Sequence, residues 1–110
     1  MEDRTEIPPG TLHMLILRTL LGIGPMHGYG IAQHIQLISN EVLQVEEGSL
    51  YPALQRMLIK GWVVAKWGVT SENRRARYYR LTAAGRKQLE VELTQFDRVI
   101  AAISRVVQTA

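Results

Sequence analysis

Glu47-Gly48-Ser49-Leu50-Tyr51-Pro52-Ala53-Leu54-Gln55-Arg56-Met57-Leu58 is the stretch on which the reading of this chain turns. Leu50, Leu54, Met57 and Leu58 recur at i, i+4, i+7 and i+8, the spacing that lines apolar side chains along one buried helical stripe. Ser49, Tyr51, Pro52, Gln55 and Arg56 fall off that stripe. They supply hydroxyls, an amide and a guanidinium rather than the Glu and Lys of a merely solvated face. Proline is tolerated in a first helical turn, where its missing N–H would go unpaired in any case. The pattern therefore predicts a helix from Ser49 to Lys60, with Gly61 just past its end and the contact chemistry in its N-terminal turns.

Working outward toward the C-terminus, Trp62–Trp67 and Arg77–Thr82 are strand-like in composition, and the polar stretch Gly68–Ala76 joins them. Between Lys60 and Lys87 eight basic residues face the single acid Glu72, so this segment carries +7 in a chain of net charge +3 and the remainder carries −4. Such asymmetry suits a polyanionic partner; a solvated hairpin that is simply basic is the bland alternative. A helix presenting its first turns, followed by a basic hairpin over about residues 62–82, is the arrangement by which a winged helix meets DNA.

Toward the N-terminus, residues 1–10 read as a polar lead-in with Ile7-Pro8-Pro9 extended. Thr11 is positioned to cap a first helix running to about Leu21, whose apolar residues nearly encircle it and mark it as core. Gly22-Ile23-Gly24-Pro25 ends that helix. A second spans about His27 to Ile38, and its start, Met26-His27-Gly28-Tyr29-Gly30, is glycine-rich. Two readings of those glycines stand level: free backbone N–H groups for a phosphate, or close helix packing. Ser39–Glu46 is a connector with an extended piece at Val42-Leu43. Thr82 can cap a final helix from Ala83 to about Val107.

In that last helix Leu89, Leu93, Phe96, Ile100, Ile103 and Val107 are spaced 4, 3, 4, 3 and 4 apart, a heptad seam. About 25 residues of helix reach roughly 38 Å, beyond what a small winged domain covers, so the seam is assigned to a homodimer interface. Packing of part of it on the chain's own first helix is the alternative. The fold expected is α+β, mainly α: a winged helix-turn-helix over 11–82 with a dimerisation helix over 83–110.

Composition excludes several classes. Cysteine is absent, so disulfides and thiolate metal sites are ruled out. The acidic start Met1-Glu2-Asp3-Arg4 is unlike a signal peptide, and no apolar run approaches the roughly 18 residues of a membrane span; the expectation is a cytoplasmic protein. His13, His27 and His34 lack metal-ligand spacing, and nucleophile patterns and carboxylate pairs are missing, so neither catalysis nor a cofactor is expected.

Gly10-Thr11-Leu12, Gly28-Tyr29-Gly30-Ile31, Gly48-Ser49-Leu50-Tyr51-Pro52-Ala53-Leu54, Gly61 and Arg77-Tyr78-Tyr79-Arg80-Leu81-Thr82-Ala83-Ala84-Gly85-Arg86 together resemble the PadR family of bacterial transcriptional regulators, over roughly residues 10–90. Ala84 departs from the acidic residue common there. The resemblance implies a winged helix-turn-helix with a single C-terminal dimerisation helix, acting by repression at a pseudo-palindromic operator. It also implies relief by a small molecule; in some relatives an aromatic of the last helix lines a flat pocket at the dimer interface. Phe96, with Leu93, Val99 and Ile100 around it, is the candidate wall for a small aromatic effector, against the plainer reading of Phe96 as packing.

For duplex DNA the expected roles are Ser49 and Tyr51 on phosphates at the Pro52 turn, Gln55 reading adenine, and Arg56 on guanine or phosphate. Tyr51 packing on the wing is the alternative. His27 and Tyr29 lie near the backbone, and Arg74, Arg75 and Arg77 reach from the wing with Lys66 supporting. Arg80 suits a surface ion pair equally well. The rival classes are a winged helix used for protein or RNA contacts and an architectural protein without sequence choice.

Overall fold

The leucine-rich first helix, α1 (Leu12–Ile23), forms as expected but with different ends, in a computed structural model that describes residues 5–8 and 10–109. Thr11 holds the capping position without capping: its backbone is helical, and its Oγ1 donates to the Pro8 carbonyl at 2.7 Å instead of accepting from the first turn. The helix runs two residues past Leu21, to a Gly24 at φ 103°, a left-handed conformation that favours glycine. Ile16, Leu17 and Leu20 are buried, but Leu21 and Ile23 are exposed, so α1 is covered on fewer sides than its composition suggests.

After β2 (Met26–His27), α2 (Gly28–Ile38) opens on an unexpected cap: His27 Nδ1 accepts from the Gly30 N–H at 3.0 Å. It closes through Asn40 and Glu41, both at positive φ, whose N–H groups return to the carbonyls of Leu37 and Gln36. The lead-in is more than a polar tail. Its Thr5–Glu6 (β1) pairs in parallel with Leu43–Gln44 (β3), one residue on from the extended piece expected. The extended reading of Ile7-Pro8-Pro9 falls partly on Pro9, outside the described residues.

The helix read first, α3 (Glu47–Ile59), begins two residues before Ser49. The N–H groups of Ser49 and Leu50 both bond the Glu46 carbonyl, building a turn ahead of the expected start. Pro52 consequently lies in the second turn, where its missing N–H leaves the Gly48 carbonyl without that ladder donor. Leu50, Leu54 and Met57 of the expected stripe are buried, Leu58 only half so, and Ala53, off the stripe, is buried as well. At the other end Gly61 takes φ 76°, its N–H bonding Leu58 O and the Trp62 N–H bonding Met57 O, the paired closure that glycine permits after a helix.

The hairpin β4 (Val63–Val69) and β5 (Arg75–Leu81) is antiparallel from Val63↔Leu81 to Val69↔Arg75, with β2 added at the far edge of β5. Its turn is Thr70–Arg74, shorter than the loop expected at 68–76. The Thr70 hydroxyl accepts from the N–H groups of Glu72 and Arg74, and Asn73 supplies the left-handed residue. These bonds let pairing extend two rungs further out.

Thr82 caps α4 (Ala83–Gln108) as expected: its Oγ1 accepts from Gly85 N at 3.0 Å and donates to the Gly61 carbonyl at 2.6 Å, joining α4 to the end of α3. Leu89 is 2% exposed within the core shared with α1. That removes it from the seam assigned to a partner, because its own chain already covers it. Leu93, Phe96, Val99, Ile100, Ile103 and Val107 remain open, from 38% exposed at Leu93 to 75% at Val107. The architecture is a mainly helical winged helix-turn-helix with a long C-terminal helix. Among the described residues no helix is long and apolar enough to cross a membrane.

Candidate nucleic-acid interface

The strand register sorts the wing into two faces. Val63, Ala65, Trp67 and Val69 share one with Leu81, Tyr79, Arg77 and Arg75; Val64, Lys66 and Gly68 share the other with Arg80, Tyr78 and Ala76. The first face begins in the core, where Val63 and Tyr79 are buried, and continues outward as the inner wall of a groove of about 950 Å³. Tyr51 and Gln55 of α3 line it too, together with His27 at the end of β2 and Tyr29 and Gln33 of α2. Arg74, Arg75 and Arg77 line it, so three of the expected basic residues meet α3 across one concave surface.

Tyr51 is held in this groove by a close approach. A Cβ on Gly28 would sit 2.8 Å from Tyr51 Cε1 and 3.0 Å from its hydroxyl, so Gly28 leaves room for that ring. Burial first, then the charge of Glu47 and the neighbouring Tyr79, pushes the Tyr51 hydroxyl pKa above 10.0. At neutral pH it is a protonated donor, the form that bonds a phosphate oxygen. The same geometry bears on the glycine-rich start: Gly28 makes room for Tyr51, as the packing reading expects, and the Gly30 N–H is taken by His27. His27 lies edge-on to Tyr78 at 5.4 Å, and Gln33 Nε2 donates to the Tyr29 hydroxyl at 3.1 Å.

Other expected residues are elsewhere. Ser49, Pro52 and Arg56 face the opposite flank of α3, lining a separate cavity of about 440 Å³ with Glu46 and His13. Lys66 lies on the outer face of the wing with Tyr78 and Arg80, away from the arginines it was expected to support, because it is one residue out of phase with Trp67 in a period-two strand. Conversely Trp67 and Gln33 line the groove and were not singled out from the sequence. For Trp67 the signal was present in the alternation with Lys66, but only the strand register says which face is inward.

A model of the transcriptional regulator PadR-like family matches residues 16–91, from α1 through the groove to the start of α4. The chain belongs to the PadR-like family. An uncharacterised protein of Lysinibacillus sphaericus is 35% identical over 96 residues, 87% of each chain. Among solved structures, a transcriptional regulator from Clostridium thermocellum is 26% identical with a TM-score of 0.82, over 90% of this chain and 95% of that one. A PadR-like transcriptional regulator from Bacillus cereus is 25% identical with a TM-score of 0.76, over 92% and 95%. The PadR-like family and both solved structures are transcriptional regulators, not enzymes, and the groove lies within the matched segment.

Proposed function

We propose that this PadR-like chain is a homodimeric repressor that binds a pseudo-palindromic operator sequence-specifically. The observation that carries the reading is the groove that Tyr51 and Gln55 of α3 share with Arg74, Arg75 and Arg77 of the wing. Such a surface offers a major groove one helical wall for base edges and one cationic wall for phosphates. Gln55 reads adenine, Tyr51 and the arginines hold the backbone, and His27 and Tyr29 stand beside it. Arg56, Ser49 and Pro52 approach the strand on the other flank of α3. Residues 11–82 form the reading head and α4 (Ala83–Gln108) supplies the dimerisation helix.

The dimer rests on the exposed stripe Leu93, Phe96, Ile100, Ile103 and Val107. A 26-residue helix is roughly 39 Å long, and a two-fold partner buries the same stripe on both copies. On this reading the two-fold pair sets its two α3 helices in successive major grooves, for which half-sites one helical turn, about 34 Å, apart are required. Phe96, flanked by Leu93, Val99 and Ile100, is also where a planar aromatic effector would stack. Titrating planar aromatic compounds against a protein–operator complex tests this: operator release with altered Trp62 and Trp67 emission supports an effector, and none leaves Phe96 as packing.

The DNA reading is tested by competing duplex against single-stranded DNA of the same sequence, with solution mass measured by sedimentation. A dimer preferring duplex is expected. A monomer indifferent to both would point instead to protein contacts.

A further inference from the structure

On the inner face of the wing, cations and rings alternate. The Arg75 guanidinium lies 4.6 Å from the Trp67 ring centroid, Arg77 lies 6.0 Å from the same ring, and Arg77 is also 5.9 Å from the Tyr79 ring. The ladder starts at a residue the core holds still, since Tyr79 is 5% exposed, and runs outward to Trp67, which is 56% exposed. So large an exposed apolar ring in a groove beside α3 calls for a reason, and core packing does not supply one.

We infer that Trp67 is a positioning residue for anion binding: its indole holds Arg75 and Arg77 as one clamp for the phosphates of duplex DNA. The chemistry of guanidinium makes this workable. Stacking uses the flat face of the group and leaves its N–H donors, which lie in the plane at the edge, free to fork onto phosphate oxygens. The ring thus restrains two long side chains without consuming a donor, so less rotamer freedom is lost when the phosphate arrives. Lysine cannot substitute, since its ammonium lacks both the flat face and the fork.

The inference rests on the DNA reading, and the experiment keeps the two apart. The full chain is titrated onto a fluorescein-labelled mixed-sequence duplex across a salt series, following the anisotropy of the duplex. Trp67→Ala weakens binding about fivefold and makes the log K against log salt slope shallower by about 1, because the arginines no longer reach phosphates together. Trp67→Phe restores most of the loss. Arg75→Lys, which keeps both the charge and Trp67, weakens binding as Trp67→Ala does. Adding Trp67→Ala to the Arg75→Ala, Arg77→Ala double variant changes nothing further. Wild-type affinity and slope in Trp67→Ala, or a full additional loss in the double variant, overturns the inference while leaving duplex binding intact. A wild-type chain that binds no duplex overturns the DNA reading and the inference with it.

Discussion

In the proposed reading Gln55 and Arg74 make two different kinds of contact, and these are separable by experiment. Gln55 presents an amide from the helical wall, and Arg74 presents a cation from the wing turn. Replacing Gln55 with Ala is expected to flatten the preference among operator variants, by about 1–3 kcal/mol at the base it reads. Arg74→Ala should instead weaken every duplex alike and reduce the salt slope by about 1. A specificity profile unchanged in Gln55→Ala, measured over a panel of single-base variants, removes that residue from base reading. His13 makes a prediction of another kind. Burial, and secondarily Arg56, lowers its pKa below 6.5; Nε2 is buried without a partner, and the ring lies edge-on to Trp62 at 6.0 Å. The folded state therefore resists protonation more than the unfolded chain does. Stability from this group is fully present above about pH 6.5 and falls as pH drops below it. Going from neutral to mildly acid pH should lower the thermal midpoint of wild type more than that of His13→Phe, which has no imidazole to protonate; an identical acid loss in both proteins contradicts the assignment.

Elements joined by backbone contacts are where small substitutions act most strongly. α4 leaves the wing at Gly85, where a Cβ would overlap the Trp62 carbonyl oxygen and meet Leu81 Cδ1 at 2.8 Å. Alanine normally favours a helix interior, yet here it is expected to destabilise by about 2–3 kcal/mol, because the obstructing atom is backbone and cannot swing aside. Chemical denaturation of Gly85→Ala measures it, and a stabilised variant would mean that α4 can shift along the wing. The sequence announced those elements whose signals are local. The α3 stripe, the Thr82 cap and Gly61 each depend on residues within one or two turns, and each stands where expected. What it hid depends on distant partners. The β1–β3 pairing joins two short pieces 38 positions apart and leaves no periodicity to read. His27 caps α2 although histidine is not a favoured cap, because β2 fixes its ring there. The inward face of the wing needed the register, which is why Lys66 was favoured and Trp67 passed over. Leu89 was indistinguishable from the rest of its heptad until α1 covered it.

For the molecule as a whole, the exposed half of α4 is the feature its own fold leaves unexplained. Its stripe lies apart from the groove, so association and DNA contact are assigned to different surfaces. Ile103, 51% exposed in the single chain, sits mid-stripe. A charge there (Ile103→Glu) is expected to yield a folded monomer with unchanged helical signal and operator affinity reduced by a hundredfold or more, since a single reading head forfeits the second half-site. A dimer that persists in this variant would move the interface elsewhere. The central claim, specific recognition of duplex DNA by a dimer, is tested most directly by fluorescence anisotropy. The chain is titrated onto duplex from its own upstream region and onto a scrambled duplex of equal length, at about 150 mM salt where screening suppresses non-specific contacts. The account predicts tight binding to the upstream duplex alone, saturating at two chains per site; equal affinity for both duplexes would contradict it.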